Sequence, residues 1–285
     1  MSTPSADYQF SFDGWLFGGS GQGVQVLEIS GLEDMPTLRT QDDTRGFQDG
    51  MFTGTDFLSG RTLTFTLQIM TDTSNTMQTY LNELKSYLMY QQSGTTVLQF
   101  QLPGRSVQRV NARVRKRSIK IDTDYSNGKA LAMVELFCPD PRVYDDAAQS
   151  QTLTLGSLVG RVYNRIYPLV YQTIISCGSS IGSFTNSGNV TMFPTFTLTG
   201  PCINPTIVNS TTGASIPIVY TMTSGDTIII DPDLRSVILN GSPARNIISN
   251  NAQWFGLPPG TTTLGVIVPA AAAGTCVVDY RNAYV

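Results

Sequence analysis

The sequence predicts a mainly β protein of two domains: an α+β domain built on a small barrel with one helix, then a β-sandwich. Three observations lead there. Short runs of alternating apolar and polar residues recur along the chain, as half-buried strands require. Residues 76–92 switch to helical spacing, with Met77, Leu81, Leu84 and Leu88 on one face. The 285 residues exceed the commonest domain size, and at 41% hydrophobic they can fill two cores.

Along the chain, residues 8–12 and 24–29 read as strands. Residues 31–60 show no stable period; glycines at 46, 50, 54 and 60 punctuate acids at 42, 43, 49 and 56. So long an irregular stretch in a compact domain usually has a function, such as gripping a partner. Leu63, Phe65, Leu67 and Ile69 then alternate with threonines and Gln68, a strand with one buried face. The helix follows, with Asp72, Thr73 or Ser74 suited to its start and Gly94 to its end. It is expected to cover the open end of the barrel. Strands at 97–102, 107–121 and 130–137 come next, the last two joined by a turn ending in Asn127-Gly128.

Pro139 and Pro141 stop the ladder. Residues 145–151, polar and alanine-rich, are the expected linker between domains 1–148 and 149–285. Beyond it no helical period occurs. Strand candidates lie at 152–155, 195–198, 216–222, 227–230, 237–239, 263–268 and 275–280. Turn formers such as Asp231-Pro232-Asp233, Asn240-Gly241 and Pro258-Pro259-Gly260 separate them, and many short strands at this spacing make a sandwich.

Charged residues are 14% of the chain, against about 25% in an average soluble protein. The net charge of -3 gives no global attraction to nucleic acid or to an anionic membrane. The first basic residue is Arg39, so a secretory n-region is missing. The longest apolar run, 264–273, contains Pro269 and is too short to span a bilayer. No membrane insertion is expected, and release by cell lysis suits such a chain.

There is no histidine, and the four cysteines (Cys138, Cys177, Cys202, Cys276) form no CxxC pair. The usual zinc sites and the usual neutral-pH acid–base group are therefore missing, and no metal or cofactor is expected. The cysteines read as buried free thiols, with one disulfide among the last three compatible with the spacing. Glycoside hydrolysis by paired carboxylates is the enzymatic route left. Glu28, Glu33, Glu83 and Glu135 all precede the sandwich, however, and Asp226, Asp231 and Asp233 fit turns. No catalytic residue is expected.

Several runs of the second half occur in a characteristic order. They are Phe193-Pro194-Thr195-Phe196-Thr197-Leu198-Thr199-Gly200, Asn204-Pro205-Thr206-Ile207-Val208-Asn209, Gly225-Asp226-Thr227-Ile228-Ile229-Ile230-Asp231, Val237-Ile238-Leu239-Asn240-Gly241 and Leu257-Pro258-Pro259-Gly260. This order resembles the C-terminal, galectin-like sandwich of siphophage distal tail proteins. In the first half, Gly60-Arg61 before the alternating strand, the single helix and Asp140-Pro141-x-x-Tyr144 resemble the ring-forming split barrel of the same family. The resemblance implies a structural virion protein at the tail tip, assembled in the host cytoplasm. It implies a homohexameric ring joining the tail tube to the adsorption apparatus. Its partners would be the tail-tube protein and the tail-tip hub or receptor-binding proteins, with DNA only in transit through the lumen. A carbohydrate-binding module for host attachment, and a tail-tube or baseplate hub subunit, are the alternatives.

Seven of the 18 basic residues lie between Arg105 and Lys120. On a regular strand Arg109, Asn111, Arg113, Arg115 and Arg117 share one face. That face is either solvated or meets Asp42, Asp43 and Asp49 of a neighbouring subunit; DNA binding is disfavoured by the acidic balance of the chain. Trp254-Phe255 and Trp15-x-Phe17 suit either core plugs or sugar-stacking platforms. Asp231-Pro232-Asp233 suits a turn or a cation contact. Residues 18–23, glycine-rich, lack the Lys-Ser/Thr of a phosphate loop and read as a flexible turn.

Overall fold

The computed structural model describes residues 2–19, 23–71, 74–155, 181–268 and 273–285. The chain divides into two compact units, Met1–Ala147 with Tyr284–Val285, and Ala148–Ala283. The last two residues thus belong to the first unit, where the sequence reading puts them in the second.

Unit 1 begins with β1 (Gln9–Phe12), β2 (Trp15–Gly18) and β3 (Val24–Ser30), followed by four two-residue strands, β4 (Leu38–Arg39), β5 (Asp43–Thr44), β6 (Met51–Phe52) and β7 (Phe57–Leu58). Then come β8 (Arg61–Met70), α1 (Ser74–Tyr87), β9 (Thr96–Gln101), β10 (Gln108–Lys120), the one-turn α2 (Thr123–Ser126), β11 (Lys129–Cys138) and β12 (Val143–Asp145). The main sheet runs β2-β1-β9-β10-β11-β8-β3. Its pivot is β10, whose first half pairs with β9 and whose second half pairs with β11. Inward residues of β8 and β11 (Leu63, Phe65, Leu67, Ile69, Ala132, Val134, Leu136) are all buried, as period-2 patterning demands. Met77, Leu81, Leu84 and Leu88 of the helical stripe close the same core. Phe10 packs edge-on to Phe65 at 5.3 Å, and Trp15 stacks on Phe17 at 4.8 Å and on Tyr87 at 5.8 Å. Trp15 is therefore a core residue, and the sugar-platform alternative for Trp15-x-Phe17 is withdrawn. Two of the expected helix-start residues, Asp72 and Thr73, and part of the glycine-rich stretch, residues 20–22, lie outside the described residues.

Arg61 opens β8 and is only 3% exposed. Its Nε donates to Pro141 O at 3.1 Å, and its Nη1 donates to Gly31 O at 3.1 Å and to Leu32 O. One side chain so fastens two segments distant in sequence to the start of β8. Burial lowers the pKa of the guanidinium. At the other motif, the Tyr144 hydroxyl donates to Asp140 Oδ2 at 2.6 Å, and Asp140 Oδ1 accepts from Arg142 N at 3.1 Å. Asp140-Pro141-x-x-Tyr144 is thus a closed turn that ends the barrel.

Unit 2 comprises β13 (Gln149–Thr154), β14 (Ile181–Asn186), β15 (Thr195–Thr199), β16 (Cys202–Ile203), β17 (Thr206–Asn209), β18 (Ser215–Pro217) and β19 (Thr221–Met222). It continues with β20 (Thr227–Asp231), β21 (Ser236–Leu239), β22 (Ser242–Pro243), a 3-10 turn (Arg245–Ile247), β23 (Gly260–Ile267) and β24 (Thr275–Tyr280). The last strand, β25 (Ala283–Tyr284), carries the chain back into unit 1, to which Tyr284 belongs, and pairs there with β12. Two antiparallel sheets, β13-β24-β15-β20-β21-β22 and β14-β23-β17-β18, each bury one face. Phe184 of one meets Tyr280 of the other at 5.7 Å.

The stretch expected as one strand at 216–222 is two, β18 and β19. Between them Val219 N donates to Ile247 O at 2.7 Å, so the backbone leaves its ladder to pair elsewhere. The linker expected at 145–151 narrows to 146–148, because β12 and β13 claim its ends.

The Gly-Asp and Asn-Gly motifs form one clamp. Asp226 Oδ2 accepts from Thr223 N at 2.7 Å, and its Oδ1 accepts from Asn240 Nδ2 at 2.8 Å. Asn240 Oδ1 in turn accepts from Thr227 N at 2.9 Å. Asn240 and Gly241 both take positive φ, 51° and 81°, as a two-residue hairpin turn of this hand requires. Asp231 Oδ1 accepts from Asp233 N and Leu234 N, which makes Asp231-Pro232-Asp233 a side-chain-locked turn. Among the described residues Cys138, Cys202 and Cys276 are buried free thiols, and burial pushes Cys138 and Cys276 up to about 12. Cys177 lies outside the described residues.

Candidate assembly surface

Residues 37–57 are exposed without interruption. They form a hairpin arm with two nested ladders: Leu38 and Arg39 pair with Leu58 and Phe57, and Asp43 and Thr44 pair with Phe52 and Met51. Where the sequence shows no period, the backbone still pairs; each ladder is two residues long, too short to print an alternation. Internal contacts hold the arm. Arg39 lies over the Phe57 ring at 5.4 Å and Arg45 over Phe52 at 5.0 Å. Asp42 Oδ1 accepts from Gly54 N at 3.0 Å, and Asp43 Oδ1 from Thr44 N at 2.8 Å. At Gly54 a Cβ would come 2.1 Å from Gln41 O, so the crossing strands need glycine there.

The arm presents a large apolar surface. Leu38, Phe47, Met51, Phe52 and Phe57 are all exposed, and Phe47 at the tip is 104% exposed. An isolated two-stranded ribbon is marginally stable in water. Several large apolar side chains exposed on one segment point to an interaction site. Asp42, Asp43 and Asp49 all sit on this arm.

The basic strand departs from its expected pattern. A β-bulge at Arg115 shifts the register between Val114 and Lys116. One extra residue flips every later side chain to the other face. Arg109 and Arg113 point outward before the bulge, Lys116, Ser118 and Lys120 after it, while Arg117 turns inward. There its Nη1 donates to Lys85 O at 2.8 Å and to Leu88 O at 2.9 Å, carbonyls that the end of α1 leaves unpaired. Arg117 is a helix cap, and its expected place on the outer stripe is corrected.

Arg109 is half-buried and ion-paired with Asp146 Oδ1 at 3.7 Å, and Arg105 makes a two-pronged pair with Glu33 at 2.8 and 3.0 Å. Arg115 stacks over Phe137 at 4.8 Å. Among the described residues no carboxylate pairs with Arg113 or Arg115. Lys120 pairs with Asp122 at 3.0 Å, which leaves Arg113, Arg115 and Lys116 as the rest of the outward cationic surface, with Glu135 opposite Lys116 across the ladder.

Trp254 and Phe255 also part company. Phe255 is 8% exposed and packs edge-on to Phe196 at 6.1 Å, which makes it the core plug and removes it as a glycan contact. Trp254 is half-buried, with the Arg245 guanidinium 4.4 Å over its ring.

Comparison with known proteins bears on the whole chain. Residues 187–284 match the family model described as siphovirus-type tail component, C-terminal domain. No curated protein matches in sequence. The chain shares its fold with the Dit protein of phage SPP1, described as a paradigm of the hub adsorption apparatus in phages infecting Gram-positive bacteria. The TM-score is 0.66 at 15% identity, covering 97% of this chain and 99% of that one. A chain of the phage P2 baseplate, in its activated conformation with Ca, aligns at TM-score 0.52 and 11% identity, covering 95% and 97%.

Proposed function

We propose, from the match of residues 187–284 to the siphovirus-type tail component model, that this chain is the distal tail ring subunit of a long non-contractile-tailed phage. It is a structural subunit joining the tail tube to the tail-tip adsorption apparatus. Its partners are further copies of itself in a six-membered ring, the tail-tube protein on one side, and the hub or receptor-binding proteins on the other. DNA crosses the lumen without being read. The observation that supports self-assembly is the arm of residues 37–57, exposed along its length and carrying exposed Leu38, Phe47, Met51, Phe52 and Phe57. A subunit in a closed ring presents one face and receives another, so a projecting arm and a separate cationic strand suit head-to-tail contact. Native mass measurement and negative-stain imaging of the full chain test this reading: closed rings of six are expected, and a monomer at all concentrations would refute it.

Charge sets the register of that contact. Arg113 and Arg115 face Asp42, Asp43 or Asp49 of the next subunit; Arg117 no longer takes part, since it caps α1. Exposed ion pairs contribute only about 0–1 kcal/mol each. Arg113→Glu with Arg115→Glu should therefore weaken assembly without abolishing it, and Asp42→Lys with Asp43→Lys should partly restore it. Equal ring yields for wild type and the arginine variant, by size-exclusion chromatography across a dilution series, would leave those arginines as solvated surface.

A further inference from the structure

Unit 2 carries a cleft of about 500 Å³ that the ring reading does not use. The 3-10 turn and the segment after it build it, and its lining includes Arg245, Asn246, Ser249, Asn250 and Trp254 together with the apolar Ile248 and Ala252. Its volume falls within the range of ligand sites, roughly 300–1,000 Å³. Two features give it chemistry. The first is the indole of Trp254, which is half-buried although its neighbour Phe255 fills the core. A large aromatic surface kept at the wall of a cleft suits the apolar face of a sugar ring. The second is Arg245, held over that indole at 4.4 Å, with Nη1 donating to Arg235 O. Both its stacking and its backbone bond fix the guanidinium in place, so its remaining donors need little further ordering to meet a ligand. The lining contains no carboxylate, and Arg245 is its one charged group. Asn246, Ser249 and Asn250 supply neutral donors and acceptors around the rim, as hydroxyl recognition requires.

We propose that this cleft binds a saccharide carrying an anionic group, phosphate or carboxylate. The sugar ring lies against Trp254, the anion meets the Arg245 guanidinium, and the hydroxyls reach Asn246, Ser249 and Asn250. No bond is made or broken; the site is for attachment. It needs unit 2 alone, so loss of ring assembly and loss of saccharide binding are separate outcomes.

The test is titration calorimetry on the full chain, with tryptophan fluorescence alongside. The chain has two tryptophans, and Trp15 is enclosed in unit 1, so a ligand-dependent change reports Trp254. The probes are glucose 6-phosphate, galacturonate, glucose and inorganic phosphate. One stacked ring and one charge-assisted contact should give a Kd on the order of 1 mM for the charged sugars. Glucose and inorganic phosphate should each bind at least about tenfold more weakly, since each lacks one of the two contacts. Whichever charged sugar binds more tightly identifies the anion. Trp254→Ala should abolish binding, and Trp254→Phe should retain part of it. Arg245→Gln should erase the preference for charged over neutral sugar. Circular dichroism melts show that each variant is folded, and the milder Trp254→Phe serves should Trp254→Ala fail to fold. Any of three results overturns the proposal: no saturable signal with either charged sugar, inorganic phosphate binding as tightly as glucose 6-phosphate, or an acidic peptide outcompeting both sugars. The last would assign the cleft to a protein partner.

Discussion

Replacing residues 40–56 by Asn-Gly should abolish ring assembly while leaving unit 1 folded. Arg39 and Phe57 are paired across the arm, so a two-residue turn can close the hairpin immediately beyond them. The replaced residues are all exposed, so their removal opens no cavity in the barrel core. Phe47, Met51 and Phe52, the exposed large apolar groups of the outer half of the arm, leave with them. Stable protein contacts bury about 800 Å² per partner, and most of their free energy comes from a few such anchors. The effect should therefore be the loss of the ring, where the arginine reversals only shift a dilution curve. Sedimentation of wild type and the shortened chain, with thermal melts of both, decides it. Rings that persist in the shortened chain would place the subunit contact elsewhere on unit 1.

A second large effect is expected inside the barrel. Arg61→Ala should destabilise unit 1 by about 3 kcal/mol or more, because three backbone carbonyls lose their donor at once. Those of Pro141, Gly31 and Leu32 accept from a guanidinium that is 3% exposed, and only the buried Nη2 lacks a partner. Relief from burying the charge offsets part of the loss, which keeps the figure below the sum of three hydrogen bonds. Arg61→Lys should recover little, since one ammonium cannot reproduce the fork that reaches carbonyls on two segments. Urea unfolding followed at Trp15 measures it. A midpoint unchanged in Arg61→Ala would show that the three carbonyls find water or other donors.

Much of this architecture is legible residue by residue. Met77, Leu81, Leu84 and Leu88 announce the helix because a 3.6-residue period brings them onto one stripe whatever surrounds it. Leu63 to Ile69 announce a strand in the same way. Asn240-Gly241 marks a hairpin because few other pairs accept two positive φ angles. The absence of histidine and the low charge are composition and need no fold to be read. Strand β2 is missed because Trp15, Leu16, Phe17 and Gly18 form too short and apolar a run to show a period.

What the tertiary structure decided are the features that depend on a partner far away in sequence. Arg117 looks like one more arginine on a stripe, and the bulge at Arg115 turns it inward, where the end of α1, some thirty residues earlier in the chain, offers it two carbonyls. Trp254 and Phe255 are adjacent aromatics, and contact with Phe196 draws one of them into the core while Arg245 holds the other at a cleft. The arm is the same case in reverse: residues 37–57 show no period in the sequence, and only the fold shows them as a paired hairpin that leaves Leu38, Phe47, Met51, Phe52 and Phe57 exposed. Periodicity and turn chemistry are local free energies, so a sequence states them directly. Burial is a property of what the rest of the chain brings near, and only the folded structure states that.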